Sequence, residues 1–256
     1  MAEKRTKRKV VFGGSQAEHA YRVILDLILR GRLVPGSPLS RRGLAKDLSL
    51  GVQPVTEALQ RLEVDGLVES LPRVGTHVKI PSEQEIRGHY IVREALESQS
   101  ARLFTEKASA REKEELSALA KRLDSSYEKN DNEYPRGSKE WEDYWFDLHT
   151  QHAHFHMRIA ECTGCLPLCE AMEKNQIVVF NWLFDIAFQP RTIPAHWHSE
   201  LIEGLNSGEI DVADRAMRTH VRYGMEEVLR RRESYRGLGQ SIGRGLSMVS
   251  SHLGGL

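Results

Sequence analysis

A histidine-bearing stretch at residues 146–161 constrains the fold of this chain more than any other feature. His152 and His156 are four residues apart, so in an α-helix they lie one turn apart on the same face. Phe155 and Ile159 fall on or beside that face. The spacing therefore predicts a helix whose two imidazoles point into a core.

Two further histidines lie in amphipathic segments later in the chain. His198 precedes one apolar pattern with i, i+3, i+4 spacing, and His220 lies within another. Four histidines directed inward from three helices can enclose a metal ion. The sequence predicts metal ligands at His152, His156, His198 and His220, with His149 in reserve and with His154 and His196 facing solvent. Imidazole ligands suit Zn²⁺, Ni²⁺, Cu²⁺ or Fe²⁺ rather than Mg²⁺ or Ca²⁺, and we expect zinc.

The length and composition of the chain are typical of soluble proteins. Its 256 residues favour two domains, and 40% hydrophobic with 28% charged residues suits a soluble fold. No apolar run approaches the ~20 residues of a membrane span, and the N-terminus lacks a signal-peptide pattern. The three cysteines cannot all pair and lie in one cluster, which we expect to be structural. These features predict a cytoplasmic protein without a membrane partner.

Charge is distributed unevenly along the chain. Residues 1–80 contain 14 Lys and Arg against 8 Asp and Glu, a balance of +6, so the remainder carries −6. A basic module joined to an acidic one indicates that the first part meets a polyanion. Residues 1–14, with Lys4 to Lys9 nearly all basic, are predicted to form a flexible basic arm.

The next segment has the pattern of three helices and a hairpin. Ser15 and Glu18 predict a capping box at the start of the first helix, and Gly31 ends it. Two more helices are predicted at 41–48 and 53–65, and β-prone runs at 67–71 and 76–80 flank a turn. This layout is that of a winged helix-turn-helix, in which the third helix enters the major groove of DNA. We assign it to residues 15–81.

From residue 82 to residue 235 the pattern is all helical. Ser82 and Glu85 predict a capping box at its start. Helices are predicted at 83–106, 109–129, 139–163, 166–188, 195–206 and 210–234. Residues 236–256, rich in Gly and Ser, are predicted to be a flexible or weakly helical tail. The predicted fold is mostly α: a winged helix-turn-helix followed by an all-α helical-bundle ligand-binding domain.

Residues 44–68 and 72–78 resemble the signature of the GntR family of transcription factors. The match is ungapped through Pro54-Val55, Glu57-Ala58-Leu59, Leu62 and Gly66-Leu67. The resemblance implies a DNA contact by Arg42. We also expect DNA contacts by Gln53 and Thr56, which the recognition helix should expose, and by Arg73 and Gly75 in the hairpin; the alternative for Gln53 and Thr56 is that they are simply exposed polar residues.

Two positions depart from that signature. Where the family commonly has DNA-contacting arginines, this chain has Val52 and Thr56. Arginine to guanine is the commonest specific base contact. The loss of both arginines implies a divergent operator, or affinity that rests on Arg42, Gln53, Arg73 and the N-terminal arm.

The helical region resembles the FCD-type ligand-binding domain of the FadR subfamily. The resemblance is carried by residues 92–97, Phe155-His156, His198 and His220, whose spacing matches the last two metal ligands of that family. It implies a small carboxylate effector at the metal, and His152 stands where the family usually has Asp. Arg93 either holds the effector carboxylate or forms a helix-surface ion pair with Glu97.

The sequence therefore predicts a metabolite-responsive regulator and not an enzyme. On the family resemblance it is a repressor, acting as a homodimer on a palindromic operator in double-stranded DNA. One alternative is a metal-dependent hydrolase that carries a nucleic-acid-binding module, because histidine-bound metals activate water. Another is a metal-free regulator that binds a larger acyl ligand.

Overall fold

The computed structural model describes residues 15–129, 134–135, 138–175 and 193–242. The chain divides into two compact units. The N-terminal unit extends to Ile28 and includes Arg32–Ile80, and the C-terminal unit comprises Leu29–Gly31 and the chain from Pro81 onward. The predicted domain boundary, between residues 81 and 82, lies one residue from this division.

The N-terminal unit has the predicted order of three helices and a hairpin. Its elements are α1 (Gln16–Leu29), α2 (Arg41–Asp47), α3 (Val52–Val64), β1 (Val68–Leu71) and β2 (Gly75–Val78). The strands are antiparallel, with Val68 opposite Val78 and Leu71 opposite Gly75. The winged helix-turn-helix prediction is confirmed.

Apolar residues at helical spacing form the core of this unit. From α1 they are Ala20, Ile24 and Ile28, and from α3 they are Val55, Ala58, Leu59 and Leu62. Gly66, with a φ of 76°, lets the chain turn out of α3 toward β1 at no steric cost. Ser15 caps α1 by accepting from the Glu18 amide at 3.2 Å, but the Glu18 carboxylate turns to Arg22 and Arg61 instead of completing the predicted capping box.

The C-terminal unit is helical throughout its described residues. Its helices are α4 (Glu83–Lys107), α5 (Ala110–Glu128), α6 (Lys139–Glu161), α7 (Leu166–Lys174), α8 (Trp197–Asn206) and α9 (Ile210–Ile242). Helix α4 packs on α9, while α5 packs on both α6 and α8. Capping boxes begin α4, at Ser82 and Glu85 as predicted, and α5, at Ser109 and Glu112. No described helix is long and apolar enough to span a membrane.

The end of α9 differs from the predicted one. Helix α9 continues to Ile242, beyond its predicted end at residue 234, so residues 236–242 of the predicted flexible or weakly helical tail are helical. Each glycine there costs about 1 kcal/mol of helix propensity but keeps its N–H, and no proline interrupts the segment, so the helix propagates. The predicted continuation of α7 to residue 188, and the tail from residue 243, lie outside the described residues.

Candidate effector site and DNA interface

Three helices of the C-terminal unit bring four imidazoles into one region of the core. His152 and His156 come from α6, His198 from α8 and His220 from α9. Their exposed fractions lie between 1% and 8%, so all four are buried, as the apolar-face argument predicted. A buried imidazole needs a polar partner or an ion to replace the water it has lost.

Three of these histidines form the tightest group, which we call the histidine triad: His152, His156 and His220. Their candidate ligand nitrogens all lie within 4.8 Å of one another, and the Nε2 atoms of His152 and His156 are 3.0 Å apart. His198 lies beside the triad, with ring centroids 4.9 Å from His152 and 5.4 Å from His220. The triad is the one group of three or more potential metal ligands this close within the described ranges of the chain.

Two buried carboxylates contact the outer nitrogens of the imidazoles. Glu97 Oε2 lies 2.8 Å from His156 Nδ1, and Asp124 Oδ1 lies 2.8 Å from His198 Nδ1. An ionised carboxylate only accepts hydrogen bonds, so in each neutral ring it favours the proton on Nδ1 and the lone pair on Nε2. Carboxylates in this position orient metal-binding histidines and raise their basicity.

Aromatic side chains enclose the remaining faces of the rings. The Tyr127 hydroxyl lies 3.2 Å from His152 Nδ1, and the tyrosine ring stacks on His198 with centroids 5.5 Å apart. Trp197 stacks on His220 with centroids 5.1 Å apart and an interplanar angle of 18°. Trp197 therefore lies against the site.

Asp124 is the functional residue that sequence reasoning missed. Besides the His198 ring, its carboxylate accepts from the His198 amide at 2.9 Å and from the Ser199 amide and hydroxyl at 3.0 and 2.6 Å. Burial alone would raise the pKa of Asp124, but these hydrogen bonds outweigh it and lower the pKa to about 2. The sequence did contain a signal for this role, because Asp124 is a charged residue beside Leu123 on the apolar stripe of α5.

Arg93 lies in the core of the unit rather than on a helix surface. Its exposed fraction is 6% and that of Glu97 is 5%, so the predicted ion pair with Glu97 forms in the core and not on the helix surface. Arg93 Nε donates to Glu97 Oε1 at 2.5 Å, and one terminal nitrogen lies 3.4 Å from His156 Nε2. Burial would raise the pKa of Glu97, but the charge of Arg93 lowers it below its ordinary value.

A small cavity lies against these groups. Its volume is about 10 Å³, and its lining includes Arg93, His152, His198, His220, Trp197 and Tyr223. That space suits about one water molecule or ion.

The other histidines and the cysteines lie apart from the triad. His149 is buried against Trp145, with ring centroids 5.6 Å apart, and is not in the close group. His154 and His196 are exposed, as predicted. All three cysteines are free thiols, and burial raises the pKa of Cys162 to about 11, which disfavours the reactive thiolate.

The predicted DNA-contacting residues of the N-terminal unit lie on exposed helix ends and at the hairpin tip. Arg42 is exposed in the first turn of α2, and Gln53 is exposed in the first turn of α3, with the half-buried Thr56 one turn later. Arg73 and Gly75 are exposed in the hairpin, and both have positive φ, at 65° and 105°. Their DNA contacts remain a prediction.

Two family models match the chain. Residues 16–78 match "Bacterial regulatory proteins, gntR family", and residues 89–223, more than half of the chain, match the FCD domain. The HTH-type transcriptional repressor RspR of Escherichia coli is 24% identical over 220 residues, which cover 82% of this chain and 88% of that protein. A probable D-xylose utilization operon repressor of Paenarthrobacter nicotinovorans is 37% identical over 76 residues, covering 30% of this chain and 34% of that protein.

Solved structures share the fold. A GntR regulator from Rhodococcus sp. RHA1 has a TM-score of 0.64 at 21% identity, covering 84% of this chain and 98% of that one. E. coli McbR/YncC has a TM-score of 0.62 at 17% identity, covering 85% and 98%. The matched families are regulators, so the hydrolase alternative is wrong. The chain belongs to the GntR family of bacterial transcriptional regulators, with a DNA-binding helix-turn-helix followed by an FCD domain.

Proposed function

We propose that this regulator is a repressor whose FCD domain senses a small carboxylate through a bound metal ion. His152, His156, His198 and His220 hold the ion, which we take to be Zn²⁺, with Ni²⁺ and Fe²⁺ as alternatives. Arg93 binds the effector carboxylate. Two copies of the chain bind a palindromic operator as a homodimer.

The observation that carries the metal assignment is the 3.0 Å approach of the His152 and His156 Nε2 atoms. Glu97 favours the proton of His156 on Nδ1, which directs a lone pair toward His152. At this distance the two nitrogens share a hydrogen bond when one of them carries a proton, and a cation that takes the place of that proton makes a ligand bond to each nitrogen. His220 supplies a third nitrogen, and His198 can add a fourth through Nε2, because its Nδ1 is held by Asp124.

The donor set selects the class of ion. Neutral imidazoles suit zinc and neighbouring transition metals, whereas Mg²⁺ and Ca²⁺ require oxygen ligands. When bound, the ion supplies a positive centre in a desolvated cavity. The chain itself contributes the orientation of each ring and, through Arg93, a second positive group at the same cavity.

A small carboxylate fits this combination of charges. A guanidinium binds a carboxylate through two parallel hydrogen bonds, and the Arg93 guanidinium already makes contacts of that kind with Glu97. The cavity holds about one water molecule or ion, so a carboxylate that reaches the metal must displace surrounding side chains. An effector can alter DNA binding only if it binds one arrangement of the dimer more tightly than the other.

Repression is supported by similarity, and a homodimer by the general geometry of helix-turn-helix proteins on DNA. RspR of E. coli, similar over most of its length, is a repressor by name. Helix-turn-helix dimers place their recognition helices on two half-sites about one helical turn apart, so their operators are palindromic.

The metal assignment is tested by metal analysis of purified full-length protein. We expect one zinc per chain, and a chelator should lower the melting temperature because it removes a ligand of the folded state. His156→Ala should lose the metal. His154→Ala is the matched control, since it removes an exposed histidine two residues away on the same helix.

Two results would contradict the proposal. One is wild-type protein that is free of metal and whose melting temperature does not change with Zn²⁺, Ni²⁺ or Fe²⁺. The other is His156→Ala that retains as much metal as His154→Ala. A thermal-shift screen of small carboxylates on the metal-loaded protein then tests the effector, and an Arg93→Met variant should lose any stabilisation by a carboxylate that binds there.

A further inference from the structure

The first two turns of α3 expose side chains without positive charge. Val52 is 46% exposed, Gln53 and Glu57 are exposed, and Thr56 is half-buried. The N-terminal residues of a recognition helix are those that reach base edges in the major groove. We propose that α3 reads A·T base pairs, with Gln53 on adenine and Val52 against a thymine methyl group. This inference rests on the DNA-binding role of the N-terminal unit.

Glu57 orients Gln53 for adenine. Gln53 Nε2 donates to Glu57 Oε1 at 3.0 Å, and because a carboxylate only accepts, the amide nitrogen must face Glu57. The amide then retains its carbonyl oxygen and its second N–H. Adenine presents one donor, N6–H, and one acceptor, N7, which that pair of groups matches.

The same geometry disfavours guanine. Guanine presents two acceptors, N7 and O6, and so requires two donors. With one N–H donated to Glu57, Gln53 has a single donor left. The Glu57 carboxylate would also repel a guanine O6 that approached it. Gln53 therefore discriminates between the two purines through its neighbour one turn along the helix.

Val52 and Thr56 present apolar groups beside Gln53. The Thr56 hydroxyl donates to the Val52 carbonyl at 2.9 Å, so its proton is used within the helix. Thr56 then offers a base its γ-methyl and a hydroxyl lone pair. The exposed isopropyl group of Val52 has nothing to offer a base edge except apolar contact, and thymine is the base whose major-groove edge carries a methyl group.

The one cation of α3 is committed elsewhere. Arg61, in the last turn, pairs with Glu18 at 2.6 Å and lies over the Tyr21 ring at 4.2 Å. Phosphate attraction must therefore come from residues outside α3, such as Arg42 and Arg73. Helix α3 supplies base selection, and the rest of the unit supplies sequence-independent affinity.

The first test is selection from a randomised duplex pool by the full-length protein. We expect enriched half-sites with consecutive A·T pairs at the positions nearest the α3 N-terminus. Gln53→Ala should reduce the preference for adenine at one position about tenfold, and Gln53→Arg should shift that position to guanine. Selected half-sites with guanine at these positions, or an unchanged preference in Gln53→Ala, would overturn the inference while leaving DNA binding intact. Retention of duplexes without enrichment would also overturn the inference, and failure to retain any duplex would refute the DNA-binding role as well.

The second test removes only the thymine methyl group. Replacing dT by dU at the selected positions should weaken wild-type binding about fourfold at one site, the effect of one buried methyl group. Val52→Ala should bind the dT and dU duplexes nearly equally. Val64→Ala is the matched control, because it truncates another exposed valine at the opposite end of α3 and should retain the dT preference. Equal wild-type affinity for dT and dU duplexes would overturn the role of Val52.

Discussion

Asp124 of α5 and His198 of α8 are joined through both the backbone and the ring of the histidine. Asp124 Oδ1 accepts from the His198 amide at 2.9 Å and from its Nδ1 at 2.8 Å. His196 precedes α8 and has a left-handed backbone, with φ of 60°, and its side chain does not cap the helix. Asp124 therefore caps α8 from another helix and orients the imidazole with the same carboxylate.

Asp124→Ala should destabilise the C-terminal unit by about 3 kcal/mol, since it removes hydrogen bonds from buried donors to a charged acceptor. Chemical denaturation followed by tryptophan fluorescence measures the change. Asp147→Ala, which removes an exposed aspartate of α6, is the control and should change the free energy of unfolding by less than about 0.5 kcal/mol. Equal effects of the two substitutions would show that Asp124 does not hold α8.

Glu97→Gln should cost about 3–5 kcal/mol of folding free energy, because it leaves the buried Arg93 guanidinium without a compensating charge. The same helix offers a matched control. Arg87 and Glu83 form another i, i+4 pair whose side chains are about half exposed, so Glu83→Gln should cost only a few tenths of a kcal/mol. Thermal and urea unfolding of both variants provide the comparison, and a small loss in Glu97→Gln would contradict the role of burial.

Tyr21 links α1 to the end of α3, and its ionisation should lower the stability of the N-terminal unit at alkaline pH. Its hydroxyl donates to Asp65 at 2.7 Å. Burial, together with this hydrogen bond to a carboxylate, raises the pKa of Tyr21 from 10.0 to about 12. Because the pKa of Tyr21 is higher in the folded protein than in the unfolded chain, its protonated hydroxyl contributes its full stabilisation below pH 10. This contribution is lost as the pH rises toward 12.

Tyr21→Phe should therefore lower the free energy of unfolding by about 1 kcal/mol at neutral pH, with the difference from wild type narrowing above pH 10. Urea titrations at a series of pH values measure it, and tyrosinate absorbance reports the ionisation directly. A difference that stays constant from pH 7 to pH 11 would contradict the pKa assignment.

Arg42→Ala should weaken DNA binding to every sequence by a similar factor and leave base preference unchanged. Loss of one phosphate contact lowers the slope of log affinity against log salt concentration by about one. Fluorescence anisotropy at several salt concentrations measures this slope. Arg111→Ala makes the same charge change on an exposed residue of the C-terminal unit and should leave the slope unaltered. Identical slopes for wild type and Arg42→Ala would remove Arg42 from the interface.

Local sequence signals determined the elements of the fold. Ser82 with Glu85 predicted the start of α4, and the spacing of Val55, Ala58, Leu59 and Leu62 predicted the buried face of α3. Those signals act within one or two helical turns, so they can be read from neighbouring residues. The end of α9 was less well determined, because its Gly and Ser content indicated a flexible or weakly helical tail whereas no residue there removes a helical hydrogen bond.

The sequence by itself thus determined which helices form and which of their faces are apolar, including the faces that carry His152, His156, His198 and His220. Only the tertiary structure decided which of those histidines form a close triad, and that Asp124, 74 residues before His198, orients the fourth. It also decided that Arg93 is buried. These relations depend on how α4, α5, α6, α8 and α9 pack, and packing is set by side chains distant in sequence, which no local pattern encodes.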